Sequence, residues 1–290
     1  MRGHYRPYYE KVLLAIAGCL LALFTLACFA LPAQAQRSLL LRDSVVCPQA
    51  PAFLARANAI TALDGTHTIA YTNLICGLVA DGVWPKFDVL MVFATQSSGV
   101  SLLNLTNATY SATSTATFTT DRGWFDSGVF GSILTNFNPI AAVGPQFTQN
   151  SAHISFWNLL NATSTVEALG DSNHSVNNIF PKFSDNNLYV RVNDAVATGG
   201  FAVGDPRGVV LENRSSSTAR QSYLNGVSVG TYGASTSTAP NAISFEALSN
   251  TGAASSNSGA AISIGGNLSP TDVTNFYNRL RTYMTAVGVP

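Results

Sequence analysis

From Phe87 onward the sequence is a succession of short apolar segments cut by turn residues, and this pattern constrains the fold more than any other feature. "FDVLMVFA" (Phe87–Ala94) is a near-continuous apolar run, as expected of a buried strand. "SLLNL", "ATFTT", "SILTNF", "AHISFW", "LYVRVN", "GVVLEN", "SYLNG", "VSVGTY" and "ISFEAL" follow at short spacings. Helical patterns do not alternate with them, so the connections must be short and the strands antiparallel. The expected fold is mainly β, an antiparallel sandwich or barrel. The sharpest local signal is "YLNGVSV". Asn225-Gly226 between two apolar-alternating runs predicts a type I′ hairpin, whose two central residues both need positive φ.

The period is helical at both ends of this β region. In "APAFLARANAI", Phe53, Leu54, Ala57 and Ile60 share a face. Asp64 is a good N-cap for a second helix with Ile69, Leu74, Ile75 and Leu78 on one stripe, and Gly82 ends it. His67, in the first turns of that helix, reads as a surface or interhelical residue. Near the C-terminal end, Ile262 and Ile264 close a strand and Gly265-Gly266 break it. Ser269 then caps a helix with Pro270 first and Asp272 in its first turn, burying Val273, Phe276, Tyr277, Leu280 and Met284.

Two of these segments also carry a resemblance. "YLNG" running into "VSVG", and "SIGGNLSPTDVTNFYNRL" with its strand, glycine turn and helix, resemble laminin-G-like and concanavalin A-like jelly rolls. "LVADGVWPKFDVLMVFAT", "DRGW", "TNFNP" and "TQNSAHISFW" are similar to uncharacterised bacterial and phage-borne members of that superfamily with a helical N-terminal segment. The resemblance covers roughly Pro51 to Gly288. It implies a β-sandwich with a concave sheet that in many members binds glycans, and calcium as a recurring partner. Fold alone does not fix function.

The first residues follow another logic. Arg2, Arg6 and Lys11 precede the apolar run "VLLAIAGCLLALFTLACFALP" and an "AQA" site at Ala33–Ala35, the layout of a secretory signal peptide. The run is also long enough, at about 20 residues, to stay as a membrane anchor. "IAGC" resembles a lipoprotein box, with too little apolar chain before it. The expected organisation is a signal peptide at 1–35, a tether at 36–49, a helical segment at 50–86 packed on the sandwich, and the sandwich with its C-terminal helix at 87–290. The destination would be periplasm, cell surface or medium, and contact with a membrane would run only through an uncleaved N-terminal segment.

Beyond Ala35 the chain keeps 12 of its 15 basic and 14 of its 15 acidic residues, a net charge of −2. Nucleic acid, which calls for basic patches, is excluded as a partner. Only 10% of residues are charged, so Ser, Thr, Asn and Gly must cover the surface. Cys47 and Cys76 follow the leader; in an oxidising compartment they are candidates for one disulfide, with two buried thiols as the alternative. Two cysteines without clustered histidines do not make a zinc site.

Enzymatic chemistry finds little support. A glycosidase needs two carboxylates about 5–9 Å apart. The hydrolases of the resembled superfamily carry them as E-x-D-x-E on one strand, a run absent here. Glu167, Glu212 and Glu246 each stand alone. His153 in "SAHISFW" has no carboxylate nearby and no G-x-S-x-G elbow to serve, so it reads as a strand residue with at most a place in a groove. No catalytic residue is therefore assigned.

Glycan or cell-surface polysaccharide is the expected partner. Sugars are met by aromatic rings, amides and guanidinium groups. The candidates are Trp124 with Arg122, Asn136 and Asn138, Gln149 and Asn150, His153, and Asn213 with Arg214. A groove lined by Trp124 or Trp157 with amides would favour sugar. A large apolar patch would favour self-association, as in a surface layer, appendage or phage-like particle. Two converging carboxylates would favour a divergent glycoside hydrolase. No cofactor is required. Calcium needs six to eight oxygens, and Asp185 with Asn186-Asn187, or Asp171 with Asn173, could supply a few.

Overall fold

In a computed structural model of the chain, residues 47–126, 131–196, 200–231, 235–250 and 253–290 are described. The expected signal peptide and nearly all of the tether lie outside them. Gln49–Pro290 is one compact unit. Among the described residues no helix is long and apolar enough to cross a membrane.

The helices are α1 (Gln49–Ile60), α2 (Gly65–Ala80), the single turn α3 (Ser98–Ser101) and α4 (Pro270–Ala286). Strands β1 (Phe87–Val92), β2 (Thr113–Ser114), β3 (Thr117–Thr119), β4 (Gly123–Phe125), β5 (Ile133–Leu134) and β6 (Ala152–Asn158) come first. They are followed by β7 (Leu169–Asp171), β8 (Asn178–Phe180), β9 (Asn187–Arg191), β10 (Phe201–Ala202), β11 (Gly208–Arg214) and β12 (Arg220–Leu224). β13 (Val227–Thr231), β14 (Phe245–Ala247), β15 (Ser249–Asn250), β16 (Ala253–Ala254) and β17 (Ser258–Gly265) complete the set.

Two antiparallel sheets form a sandwich. The first runs β13-β12-β11-β6-β17-β4-β3, with β1 also paired to β17; the second runs β10-β9-β8-β7-β14-β5-β2. β17 is central, with β6 on one side and β1 and β4 on the other. It brings Ile262 and Ile264 into the core beside Ile154 and Phe156 of β6, Val210 of β11, and Val89 and Met91 of β1. Leu169, Ile179, Leu188, Val190 and Phe245 of the second sheet complete that core. Each such side chain contributes about 1.5–3 kcal/mol by leaving water. Gly123, with φ +95°, lets β4 close on β17, where a Cβ would stand 2.2 Å from the Gly259 carbonyl oxygen.

The other face of the first sheet is roofed by helices. Tyr277 of α4 lies nearly parallel to Trp157 of β6, ring centres 6.3 Å apart, and Phe276 meets Phe87 at 5.1 Å. Helix α2 packs on α4 through Tyr71 and Tyr283, and the Tyr283 hydroxyl donates to the Ala94 carbonyl at 3.0 Å. The predicted caps are in place: Asp64 accepts from the His67 amide, and Ser269 and Asp272 form a reciprocal capping box. Asn225 and Gly226 both have positive φ in the β12–β13 hairpin.

Several expectations need correction. "SLLNL" is not a strand: Ser101 ends the turn α3 and an irregular segment follows. Ile69 and Ile60 face solvent, 62% and 49% exposed. The buried residue of the first turn of α2 is instead His67, its two ring nitrogens 2.9 Å from Asp64 and 2.8 Å from Asp121.

A charged group is also sealed inside the sandwich. On the inward face of β11 and β12, Glu212 accepts from Arg220 at 3.1 Å and from Ser222 at 2.5 Å. Arg214 donates to the Val192 carbonyl at 2.9 Å and to Ser235 at 2.7 Å, and Asp194 lies 3.0 Å from Arg220. All four charged side chains are buried.

Candidate functional site

Near the roofed end of the first sheet, a cavity of about 350 Å³ opens between the last residues of β6, the start of β11, the β12–β13 hairpin and α4. Trp157 and Tyr277 are its aromatic wall. They meet because strand alternation turns Trp157 away from the core and the capping box fixes where α4 starts. Polar residues complete the lining: Asn158, Asp205, Arg207, Asn225 and Arg281.

Most of these polar groups are tied down locally. Asn158 donates to the Leu160 carbonyl at 2.6 Å. Asn225, at φ +53°, accepts from the Val209 amide and donates to the Arg207 carbonyl. Arg207 grips Asp205 with Nε at 3.0 Å and Nη2 at 2.6 Å. That hydrogen bonding lowers the Asp205 pKa and raises that of Arg207. Arg281 donates through Nη1 to the Pro290 carbonyl oxygen at 2.8 Å. The Trp157 Nε1–H is buried without a hydrogen-bond partner.

None of the nine ligand candidates read from the sequence lines this cavity. Trp124 is 6% exposed, packs on Phe118 and donates its Nε1–H to Ser101 at 2.9 Å, so its ring is core and not a sugar platform. Arg214 belongs to the sealed ionic group, because the alternation of β11 turns it inward. His153 and Asn213 are paired across β6 and β11 beneath the roof. The His153 Nδ1–H donates to the Gly266 carbonyl at 2.5 Å, and Nε2 accepts from Ser263 at 3.1 Å. Burial lowers the His153 pKa to about 4. Asn213 accepts from the Leu268 amide at 2.7 Å. Arg122 is exposed and holds the Asp121 carbonyl. Asn136, at φ +57°, donates to the Ser111 carbonyl, and Asn138 accepts from the amides of Ile140 and Ala141 as a turn cap. Gln149 and Asn150 meet at Ser237 on the surface. Of the cavity residues only Trp157 was named from the sequence, as a groove wall; Arg207, Asn225, Tyr277 and Arg281 were hard to see because they are far apart in sequence. The one local signal is the acid–base pair in "DPR" at Asp205–Arg207.

The outer face of the second sheet offers less. Arg191 and Asn178 are paired across β8 and β9, and Arg191 also donates to the His174 carbonyl at 2.6 Å. Phe180, Phe183 and Tyr189 meet edge to face, at 84° and 76°, so they form no flat platform. The two calcium candidates are filled by donors. Asp185 accepts from Asn187 and Tyr189, and Asp171 from Ser175, Asn177 and Asn241. Among the described residues no cluster of three or more His, Cys, Asp or Glu side chains is placed to hold a metal ion. Cys47 and Cys76 are both disulfide-bonded.

Fold and site together define a mainly β two-sheet sandwich with a helical roof and an aromatic cavity carrying two guanidinium groups. No family model matches the chain, and no curated protein does. Several solved structures are loosely similar. Domain 4 of AbnA, a GH43 extracellular arabinanase from Geobacillus stearothermophilus, in complex with arabinotriose, aligns over 66% of this chain and 98% of its own, at 15% identity and TM-score 0.43. Trypanosoma rangeli sialidase with 2,3-difluorosialic acid aligns over 67% of this chain, at 10% identity and TM-score 0.45. The binding domain of Paraclostridial Mosquitocidal Protein 1 aligns over 67%, at 12% identity and TM-score 0.47. This chain spans 32% of the sialidase and 52% of the mosquitocidal chain. Alignments this loose carry no argument about ligand or activity.

Proposed function

We propose that this protein is an exported, noncatalytic carbohydrate-binding or surface-recognition protein of the concanavalin A-like sandwich type, with the Trp157–Tyr277 cavity as its sugar site. The observation that carries this reading is the half-exposed ring of Tyr277, backed by the buried Trp157, in the wall of a concave site with polar side chains around it. Aromatic faces cover the C–H face of a sugar ring, and about 300–1,000 Å³ is the usual range of ligand pockets. The noncatalytic part rests on Asp205 being the one carboxylate among the described lining side chains, where glycoside hydrolysis needs two.

The test is a glycan array with clustered, labelled protein, with and without calcium, because one such site binds at about the millimolar level. Binding should fall at least tenfold in Tyr277→Ala, a half-exposed position. A folded protein that binds no glycan, or binds one regardless of Tyr277, refutes the proposal.

A second reading is a structural subunit of a surface layer, appendage or phage-like particle. The edge strand β13 favours it: among the described residues it pairs only with β12, Val227 is 67% exposed, and the strand carries no charge and no proline to guard its outer edge. Sedimentation that shifts to oligomers with concentration, and reverts in Val227→Lys, would support assembly through that edge.

A further inference from the structure

The cavity has one-sided hydrogen-bonding capacity. Its amides are committed to backbone groups, Asn158 to Leu160 and Asn225 to Val209 and Arg207. Its carboxylate, Asp205, is gripped by Arg207. What stays uncommitted among the described lining side chains is mainly donors. Arg207 uses Nε and Nη2 and keeps Nη1; Arg281 uses Nη1 and keeps Nε and Nη2. Trp157, 1% exposed, lies behind Tyr277 with its indole N–H buried and without a partner, close enough to report on the cavity but not open to it. Guanidinium and indole N–H groups can only donate.

A neutral sugar hydroxyl both gives and takes a hydrogen bond, so a wall built for neutral sugars offers acceptors as well as donors. This wall offers two permanently charged forks. A carboxylate or sulfate has acceptor oxygens only, and the guanidinium fork matches its geometry. Resting on the sugar-binding reading above, we infer that the cavity selects an acidic saccharide: its ring face lies on Tyr277, and its carboxylate or sulfate is held by Arg207 and Arg281.

The experiment titrates the full chain, isotope-labelled, with a tetragalacturonate, its carboxyl-reduced neutral counterpart and a sulfated neutral tetrasaccharide. The readout is the indole N–H signal of Trp157, assigned with Trp157→Phe. An acidic sugar is expected to move that signal and bind at least tenfold more tightly than the neutral one, about 1.4 kcal/mol. Which acidic sugar does so assigns carboxylate or sulfate. In the double variant Arg207→Gln, Arg281→Gln the preference should fall below threefold while neutral binding persists. Equal binding of neutral and acidic sugars at Trp157 leaves the sugar reading standing and overturns the charge selection. If no sugar moves the signal, the sugar reading fails, and inorganic sulfate titrated alone decides the anion site: a shift lost in the double variant retains it, and no shift overturns it.

Discussion

His153 allows a quantitative test of how the roof and the sandwich fit together. Its ring is fully buried between the first sheet and the α4 layer, against Phe87. As the neutral Nδ1–H tautomer it satisfies Gly266 and Ser263 at once. Burial dominates and lowers its pKa from 6.5 to about 4; the Gly266 hydrogen bond pulls the other way, and the charge of Lys86 adds to the lowering. A group whose folded pKa is depressed contributes stability above its unfolded pKa and loses it on acidification. Here the contribution is complete above pH 6.5 and disappears as pH falls through about 4. That interval corresponds to about 3 kcal/mol. The opposite slope comes from Glu212, whose burial raises its pKa from 4.5 to about 7. Its contribution is present below pH 4.5 and is lost as pH rises through about 7, so the two partly cancel in the bare pH–stability curve. The assay is therefore a difference: unfolding free energy from denaturant titrations of the protein and of His153→Gln at several pH values. Glu212 faces the other side of the sheet and drops out to first order. The stability advantage of histidine over glutamine should shrink by about 3 kcal/mol from pH 7.5 to below 4. A difference that changes by less than about 1 kcal/mol would show that the imidazole is hydrated in solution, and would refute the sealed roof.

Other consequences can be checked directly. Arg220→Met leaves Glu212 and Asp194 without their shared buried cation and should cost about 3–5 kcal/mol by denaturant unfolding; adding Glu212→Gln should restore part of it. Gly226→Ala should cost about 1–2 kcal/mol, since φ is +78° there and a Cβ would press on Tyr277 at 3.1 Å; sugar titration of the same variant should show weaker binding. Trp124→Phe should lose about 1 kcal/mol with the Ser101 hydrogen bond yet leave glycan binding unchanged, which separates the core indole from the cavity indole. Reduction of the disulfide cysteines Cys47 and Cys76 should lower stability by about 2–4 kcal/mol, read as a fall in the thermal midpoint.

What the sequence made legible was local chemistry. Asn225-Gly226 allows hardly any other turn, and Ser269-Pro270 with Asp272 specifies one helix start, so both could be read from a few residues. The long strands β1, β6 and β11 were legible because five or more residues of periodic apolarity leave little ambiguity. The second sheet was harder: β7 is only Leu169-Gly170-Asp171 and β10 only Phe201-Ala202, too short to show a period. The candidate site failed for a different reason. Strand alternation separates two faces but does not say which of them meets water. His153, Ser155 and Trp157 look like a solvent face until α4 is laid over them. Arg214 was read as a ligand candidate because an arginine is rarely fully buried; its partners Asp194 and Ser235 come from distant segments.

The position of β17 also bears on how the molecule is made. A ribosome delivers β1, β4 and β6 long before residues 258–265, yet β17 is the strand between them. At about 5–20 residues per second, the nascent chain waits several seconds with unpaired strand edges on both sides of a missing centre. The β6-β11-β12-β13 block can pair before then, but β1 and β4 are joined to it only through β17, and α4 arrives only afterwards to cover Trp157. A premature stop before Ser258 would leave no smaller native version of this protein, only an open sheet exposed to aggregation and proteolysis.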